Sequence, residues 1–375
     1  MTEREAYVAL NMTGHIGPVG VRNLIDLLGS AEAVFSADAA TLAQGRGIGR
    51  ETARAFVDSR ARTEWTREME RAEREGVRLT TPADAEYPRT LLEIHDPPLA
   101  LYVRGALRGN DRHALAIVGT RRPTIYGREC AERFAYRLAQ VGYTIVSGLA
   151  LGVDACAHEG ALKARGRTWA VVGSALDCLY PPANRELAER IARNGAVISE
   201  FPFGRKPDRT TFPMRNRIVS GLTQGVLVVE AGFRSGALIT ARQALDQGRS
   251  VMAVPGRIDS PVSRGSHALL KQGARLVENI DDVLAEFEFL FPAAAMAAPP
   301  DRDLQPDLTA AERAAVKAVE DGAGTVDSLI RETGMAVGEI SSLLISLEMK
   351  KMLRMLPGRR LEMVRSRSMA GEKDG

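Results

Sequence analysis

The hydrophobic positions of this chain change their spacing along its length. Up to about residue 75 the pattern is helical, interrupted by two glycine-bearing turns, Gly14-His15-Ile16-Gly17-Pro18-Val19-Gly20 and Gly45-Arg46-Gly47-Ile48-Gly49-Arg50. That arrangement predicts two helical hairpins. From Arg60 to Arg78 the sequence is dense in Arg and Glu, and Glu70 and Arg74 stand one turn apart. The spacing predicts a solvated helix held by its own ion pairs.

After Pro88, Pro97 and Pro98 the period shortens to β-branched runs alternating with amphipathic stretches. Strands are predicted at Leu115–Val118, Thr144–Val146, Trp169–Val172, Ala196–Ser199, Val226–Val229 and Ser250–Val254. Between them, helices are predicted near 127–140, 154–165, 184–194, 213–222, 236–247 and 266–272, each long enough for a right-handed crossover. The expected fold is therefore α/β, a doubly wound, mostly parallel sheet over residues 81–290.

Residues 291–307 are rich in Ala and Pro and too poor in bulky side chains to pack, which predicts a linker. Beyond it, Thr309 and Thr325 are placed to cap two helices, Val337 to Glu348 reads as a third, and Pro357-Gly358 turns a hairpin. Three helices and a hairpin over 308–365 predict a winged-helix-like domain, with residues 366–375 a disordered tail.

Composition narrows the function classes. The 375 residues are 45% hydrophobic and 26% charged, which is ordinary for a globular chain. Cys130, Cys156 and Cys178 are far apart and lack histidines at ligand spacing, so neither zinc nor a disulfide framework is expected, and a reducing, cytoplasmic setting fits. The first residues, Thr2-Glu3-Arg4-Glu5, do not read as a signal peptide, and no apolar stretch is long enough for a bilayer. A net charge of +3 is too small to establish a nucleic-acid partner, so local clustering must carry that argument.

In an open parallel sheet, ligands sit beyond the carboxyl ends of the strands. The segments there are Gly119-Thr120-Arg121-Arg122, Ser147-Gly148-Leu149-Ala150, and Gly173-Ser174. Glycines at helix N-termini offer peptide amides to an anion, and paired arginines offer forked donors to phosphate oxygens. No G-x-G-x-x-G follows the first strand and no G-x-x-x-x-G-K-[ST] occurs, so no cofactor of the NAD, FAD or P-loop ATP kind is expected. After the strand ending near Val229, Glu230 is followed by Arg234-Ser235-Gly236, a further candidate phosphate cradle.

The second cluster runs from Phe201 to Arg217, where Arg205, Lys206, Arg209, Arg215 and Arg217 face one acid, Asp208, with Phe201, Phe203 and Phe212 interleaved. Basic side chains that track a backbone, beside aromatic faces on which bases stack, suit sequence-tolerant binding of single strands. Arg215 and Arg217 are two apart on a predicted helix, so one is expected to face the groove with Asn216 nearby and the other to be structural. Asp154, Asp177 and Glu230 lie at strand ends without a companion histidine or cysteine; the two aspartates are expected to cap helices rather than to catalyse.

Five ordered strings carry a resemblance to the DprA/Smf family of DNA-processing proteins. They are Ile117-Val118-Gly119-Thr120-Arg121; Ser147 to Asp154; Phe212-Pro213-Met214-Arg215-Asn216-Arg217 running on to Leu222; Val229-Glu230-Ala231 with Ser235 to Thr240; and Ala253-Val254-Pro255-Gly256. The resemblance implies an extended Rossmann-like fold, a sterile-alpha-motif-like helical domain over residues 1–80 and a C-terminal winged helix. It also implies a non-catalytic homodimer that binds single-stranded DNA and helps load RecA recombinase during transformation, without a membrane role. Some relatives carry lysine in the loop that reads Tyr180-Pro181-Pro182-Ala183-Asn184 here, and Arg185 is read as the substitute for Pro182. The competing reading is a Rossmann-type nucleotide-monophosphate hydrolase, suggested by the glycine-rich loop after Glu230 but lacking that family's downstream glutamate. The third C-terminal helix carries Glu339 and Glu348 and no Lys or Arg before Lys350, which disfavours a major-groove role.

Overall fold

The computed structural model describes residues 1–108, 113–287, 309–335, 337–349, 352–356 and 360–363. The chain divides into two units, Met1–Ala297 and Ala298–Gly375. The predicted linker, the tail and the Pro357-Gly358 turn lie outside the described residues.

Six helices open the first unit: α1 (Glu3–Thr13), α2 (Pro18–Leu28), α3 (Ala31–Ser36), α4 (Ala39–Leu42), α5 (Arg50–Arg60) and α6 (Trp65–Arg74). Thr2 and Glu5 form a capping box on α1, and Gly29 ends α2 in the left-handed region at φ 91°. Leu10, Leu24, Leu42 and Phe56 pack as the core of this helical region.

Next come β1 (Arg78–Thr80), α7 (Arg89–Leu92), β2 (Leu101–Gly105), β3 (Ala114–Val118), α8 (Ile125–Gln140), β4 (Thr144–Ser147), α9 (Val153–Lys163) and β5 (Thr168–Val171). They are followed by α10 (Arg185–Asn194), β6 (Ala196–Ser199), α11 (Thr211–Gly221), β7 (Gly225–Val228), α12 (Gly236–Asp246), β8 (Ser250–Ala253), α13 (Arg264–Lys271), β9 (Arg275–Leu276) and α14 (Ile280–Glu286). The nine strands form one sheet in the order β1-β2-β6-β5-β4-β3-β7-β8-β9. Pairing is parallel from β6 to β9, while β2 runs antiparallel to both β1 and β6. Strands such as β3 are buried along their whole length because helices cover both faces. Leu115 and Ile117 join the core with Phe134 and Leu138, whereas Ala116 and Val118 join the one with Ile218 and Val226, as alternation along a strand requires.

The helical region is not a separate bead. Its predicted boundary at residue 80 cuts through the sheet's edge, since β1 already pairs with β2 from Arg78 onward. Val8 of α1 and Ala72 of α6 share a core with Tyr102, Ala170 and Val197. The predicted solvated helix is therefore half docked: in α6, Glu68 and Ala72 are buried. Local pairs form between Arg71 and Glu75, at 2.8 Å, and between Arg67 and Glu64, at 2.7 Å.

From β3 the chain steps through β4, β5 and β6 to one side, then crosses back to β7, β8 and β9 on the other. Connections after β3 and β7 consequently leave in opposite directions, which opens a crevice at their carboxyl ends.

In the second unit, α15 (Ala310–Glu320), α16 (Val326–Thr333) and α17 (Val337–Met349) precede a hairpin of β10 (Leu353–Leu356) and β11 (Arg360–Met363). Thr309 with Glu312, and Thr325 with Ser328, make reciprocal caps, and Leu329, Ile340, Leu347 and Leu361 fill the core. Among the described residues, no helix is long and apolar enough to cross a membrane.

Candidate nucleic-acid interface

At the crevice between β3 and β7 lies a cleft of about 570 Å³. Four segments build it. The loop after β3 supplies Gly119, Thr120, Arg121 and Arg122; the loop after β4 supplies Gly148, with Asp154 behind it; α11 supplies Phe212, Arg215 and Asn216; the start of α12 supplies Arg234, Ser235 and Gly236. Among the described lining residues, four arginines face one carboxylate.

These loops are held by one another. The Thr120 amide donates to Glu230 O at 2.7 Å, and the Val153 amide donates to Thr120 O at 3.2 Å. Gly119 packs so closely that a Cβ would come within 2.7 Å of the Val153 side chain. Gly152, at φ 85°, has no room for a side chain against the Thr120 carbonyl.

Arg215 forms the floor. It is buried, and its Nη1 donates to the Val171 carbonyl at 2.6 Å. Burial pulls its pKa down to about 10, opposed by the neighbouring Asp154, so it still carries its charge at neutral pH. Asp154 accepts from the amides of Gly148 (3.1 Å) and Ala150 (3.4 Å). Burial raises its carboxyl pKa, while Arg215 and those amides lower it. Beneath them His158 donates from Nδ1 to Thr168 Oγ1 at 2.7 Å, an assignment that follows because the Thr168 hydroxyl donates to Ile145 O at 2.7 Å.

The rim is set by Arg121, whose guanidinium carbon lies 5.4 Å from the Phe212 ring centroid. Phe212 is half-buried, with Tyr180 6.1 Å away, and rests on Gly173, where a Cβ would come within 2.9 Å of the ring. Arg121, Arg122 and Arg234 are exposed. Ser235 caps α12 by accepting from the Ala237 amide at 3.3 Å, and the space around Gly236 is open.

Several residues predicted for this site are elsewhere. Arg217 proves to be the structural member of its pair: its Nε donates to Asp96 at 2.8 Å and its Nη2 to Glu200 at 2.5 Å, which buries the guanidinium away from the cleft. Ser147 donates its hydroxyl to Ile117 O at 2.6 Å inside the sheet. Ser174 is buried, and its carbonyl accepts from Ser199 Oγ at 2.8 Å. Asn184 spends its carboxamide NH2 on the carbonyls of Leu149 and Ala150. Arg185 lines a separate small cleft with Arg104, Asp177 and Glu189. Gly173 backs Phe212 rather than facing a ligand. Lys206 is exposed on the loop after β6, outside the lining.

The strand-end acids also differ from expectation. Neither aspartate caps a helix: Asp154 pins the loop after β4, and Asp177 accepts from the Gly204 amide through both oxygens at 3.0 Å. Glu230 is the acid at a helix start, taking the Thr124 amide at 2.9 Å and the Thr124 hydroxyl at 2.6 Å, just before α8. Phe201 is buried and Phe203 is covered by Arg71 and Tyr102, leaving Phe212 as the aromatic of that segment in the cleft. Sequence reasoning missed Val219 and Val262, lining positions that carry no local signal because they are ordinary apolar residues.

Comparison with known proteins supplies independent information. The family model described as DNA recombination-mediator protein A matches residues 78–288, and that of the DprA winged helix domain matches residues 297–359. Protein Smf of Synechocystis sp. is 32% identical over 96% of this chain and 99% of its own length. Protein Smf of Escherichia coli is 41% identical over 74% of this chain and 75% of its own. Among solved structures, DNA processing protein A of Streptococcus pneumoniae superposes with a TM-score of 0.68 at 34% identity, covering 77% of this chain and 99% of that one. DNA processing protein A of Helicobacter pylori, studied for its single-stranded DNA binding mode, gives a TM-score of 0.52 at 33% identity over 57% of this chain and 97% of that one.

Proposed function

This chain belongs to the DprA/Smf family of DNA-processing proteins, and we propose that it grips single-stranded DNA in the cleft at the β3/β7 switch point. One observation carries the reading: Arg121, Arg122, Arg215 and Arg234 converge from three segments on one cleft that also holds a half-buried aromatic ring and the N-terminus of α12. Exposed guanidinium groups neutralise phosphates, the amide end of α12 favours an oxygen anion, and Phe212 offers a face to a base. Gly119, Thr120, Gly148, Asn216, Ser235 and Gly236 line the path of the backbone. Lys206 lies outside the cleft, where it meets the strand on approach. The single-stranded DNA binding of the Helicobacter pylori relative supports the same ligand.

We read the role as binding rather than catalysis: Asp154, the carboxylate among the described lining residues, accepts from the amides of Gly148 and Ala150, which supports a structural part for it over the competing hydrolase reading. As a family member, the protein acts in our reading as a cytoplasmic homodimer that helps load RecA recombinase during DNA uptake, with a helical N-terminal part, a Rossmann-like body and a winged-helix appendage.

A salt series of oligo-dT binding by fluorescence anisotropy tests the ligand. Affinity should fall steeply with salt, and duplex of the same length should bind less well. Arg121→Glu should weaken binding for any base sequence; an unchanged titration overturns the assignment of the cleft.

A further inference from the structure

The loop from Glu200 to Thr210 joins β6 to α11 and carries Arg205, Lys206 and Arg209. Its first half is held by residues of the N-terminal helices rather than by the sheet alone. Glu68 of α6 is buried and accepts from the Phe203 amide at 2.8 Å. One turn later Arg71 lays its guanidinium over the Phe203 ring, 4.4 Å from the centroid, while its Nη2 donates to Asp177 at 2.8 Å. Asp177 in turn takes the Gly204 amide, and Asn11 of α1 donates to the Glu200 carbonyl at 3.1 Å. Phe203 closes the contact by meeting Tyr102 edge-on at 5.5 Å.

The contacts that reach the loop itself land on Glu200, Phe203 and Gly204, immediately before the basic residues, while the Arg71–Asp177 bond links two of them. Gly204 turns the chain at φ 82°, so the direction in which Arg205 and Lys206 leave is set where α6 grips. The loop then closes on α11 through Asp208, which accepts from the amides of Thr210 (2.7 Å) and Thr211 (3.0 Å), one residue ahead of Phe212. We infer that Glu68 and Arg71 are positioning residues for DNA binding: α6 acts as a clamp that fixes the basic loop between β6 and α11, so the N-terminal helices set the affinity of a site they do not line. This inference rests on the cleft reading above.

Full-length protein carrying Glu68→Ala should bind oligo-dT roughly threefold to tenfold more weakly, the size expected for a coupling transmitted through one buried hydrogen bond. Amide hydrogen exchange at residues 203–210 should rise in the same variant. Glu68→Gln keeps an acceptor oxygen for the Phe203 amide and should restore both, an outcome that general loss of stability would not give. Should Glu68→Ala fold poorly, Arg71→Gln removes the stacking and the guanidinium bond to Asp177 while leaving the buried acceptor, and should show the same paired changes. If both variants bind as wild type while Arg121→Glu weakens binding, the clamp is overturned and the cleft stands. Were Arg121→Glu also silent, the cleft itself would fall and the clamp with it.

Discussion

The guanidinium of Arg215 lies against the Cα of Gly148, and a methyl group at position 148 would overlap Nη1. The loop after β4 must therefore present bare backbone to α11 before the arginine can reach the Val171 carbonyl. Gly148→Ala should displace Arg215 and cost about 1–3 kcal/mol, the range for overpacking a filled interior. The remaining folded protein should also bind oligo-dT less tightly. Urea unfolding combined with anisotropy checks this; a variant with wild-type values for both would show that the close approach is dispensable.

Arg121 and Phe212 should separate charge from stacking. Phe212→Ala removes a surface worth about 1–3 kcal/mol per stacked base, so affinity should drop by roughly 5-fold to 150-fold with an unchanged salt slope. Arg121→Glu, by comparison, should lower the slope by about 0.7 for each phosphate it no longer neutralises. Parallel salt titrations of the two variants distinguish the roles, and identical slope changes would contradict the assignment.

Arg217 should matter to stability rather than to the ligand. Its guanidinium joins Asp96, in the segment leading to β2, to Glu200 after β6, and Glu200 is buried with it. Removing the cation with Arg217→Ala strands the Glu200 carboxylate in the interior and should cost about 3–5 kcal/mol. Chemical denaturation is the direct measurement. A loss below about 1 kcal/mol would mean that water enters and solvates the carboxylate.

Acid should weaken the fold through His158. Burial, aided by the nearby Arg215 charge, lowers its pKa from the ordinary 6.5 to about 3. Between those values the unfolded chain binds the proton and the folded chain does not, so stability is complete above about pH 6.5 and declines as pH falls toward 3. The limiting slope from this group is about 1.4 kcal/mol per pH unit. Denaturation midpoints from pH 7 to 4, compared with His158→Gln, check the sign: the variant should lose that component of the acid sensitivity.

Much of the fold was legible because the parallel strands are buried on both faces and so read as unbroken β-branched runs. Val226–Val229, for example, is shifted by one residue from the observed β7, and Ser250–Val254 runs one residue past the observed β8. Less legible were β1 and β9, strands of three and two residues whose sequences, such as Arg275-Leu276, carry no period to detect; β2, Leu101–Gly105, is as long as β3 but stands apart from the alternating strand-helix pattern because it pairs antiparallel at the sheet's edge region. Of the site, the loops after β3, β4 and β7 announced themselves by glycine and arginine at strand ends. What local sequence does not encode is the partner a polar side chain finds across the fold. Arg215 and Arg217 look alike in the string, and only the placement of Asp96 and Glu200 makes one of them structural. Likewise the Arg- and Glu-rich stretch around α6 reads as self-sufficient, yet Arg71 reaches Asp177, 106 positions along the chain.

Glu230 gives the cleft a lopsided field. Its carboxylate already occupies the amino end of α8, nestled where Gly127 leaves space, so that helix comes with its own resident anion and has little attraction left to offer. Among the described residues, the amino end of α12 is capped by the neutral Ser235 hydroxyl. On the proposed reading, a polyanion passing over the arginines should be drawn toward α12 rather than α8, which would give the strand a preferred side of the crevice before any base is contacted.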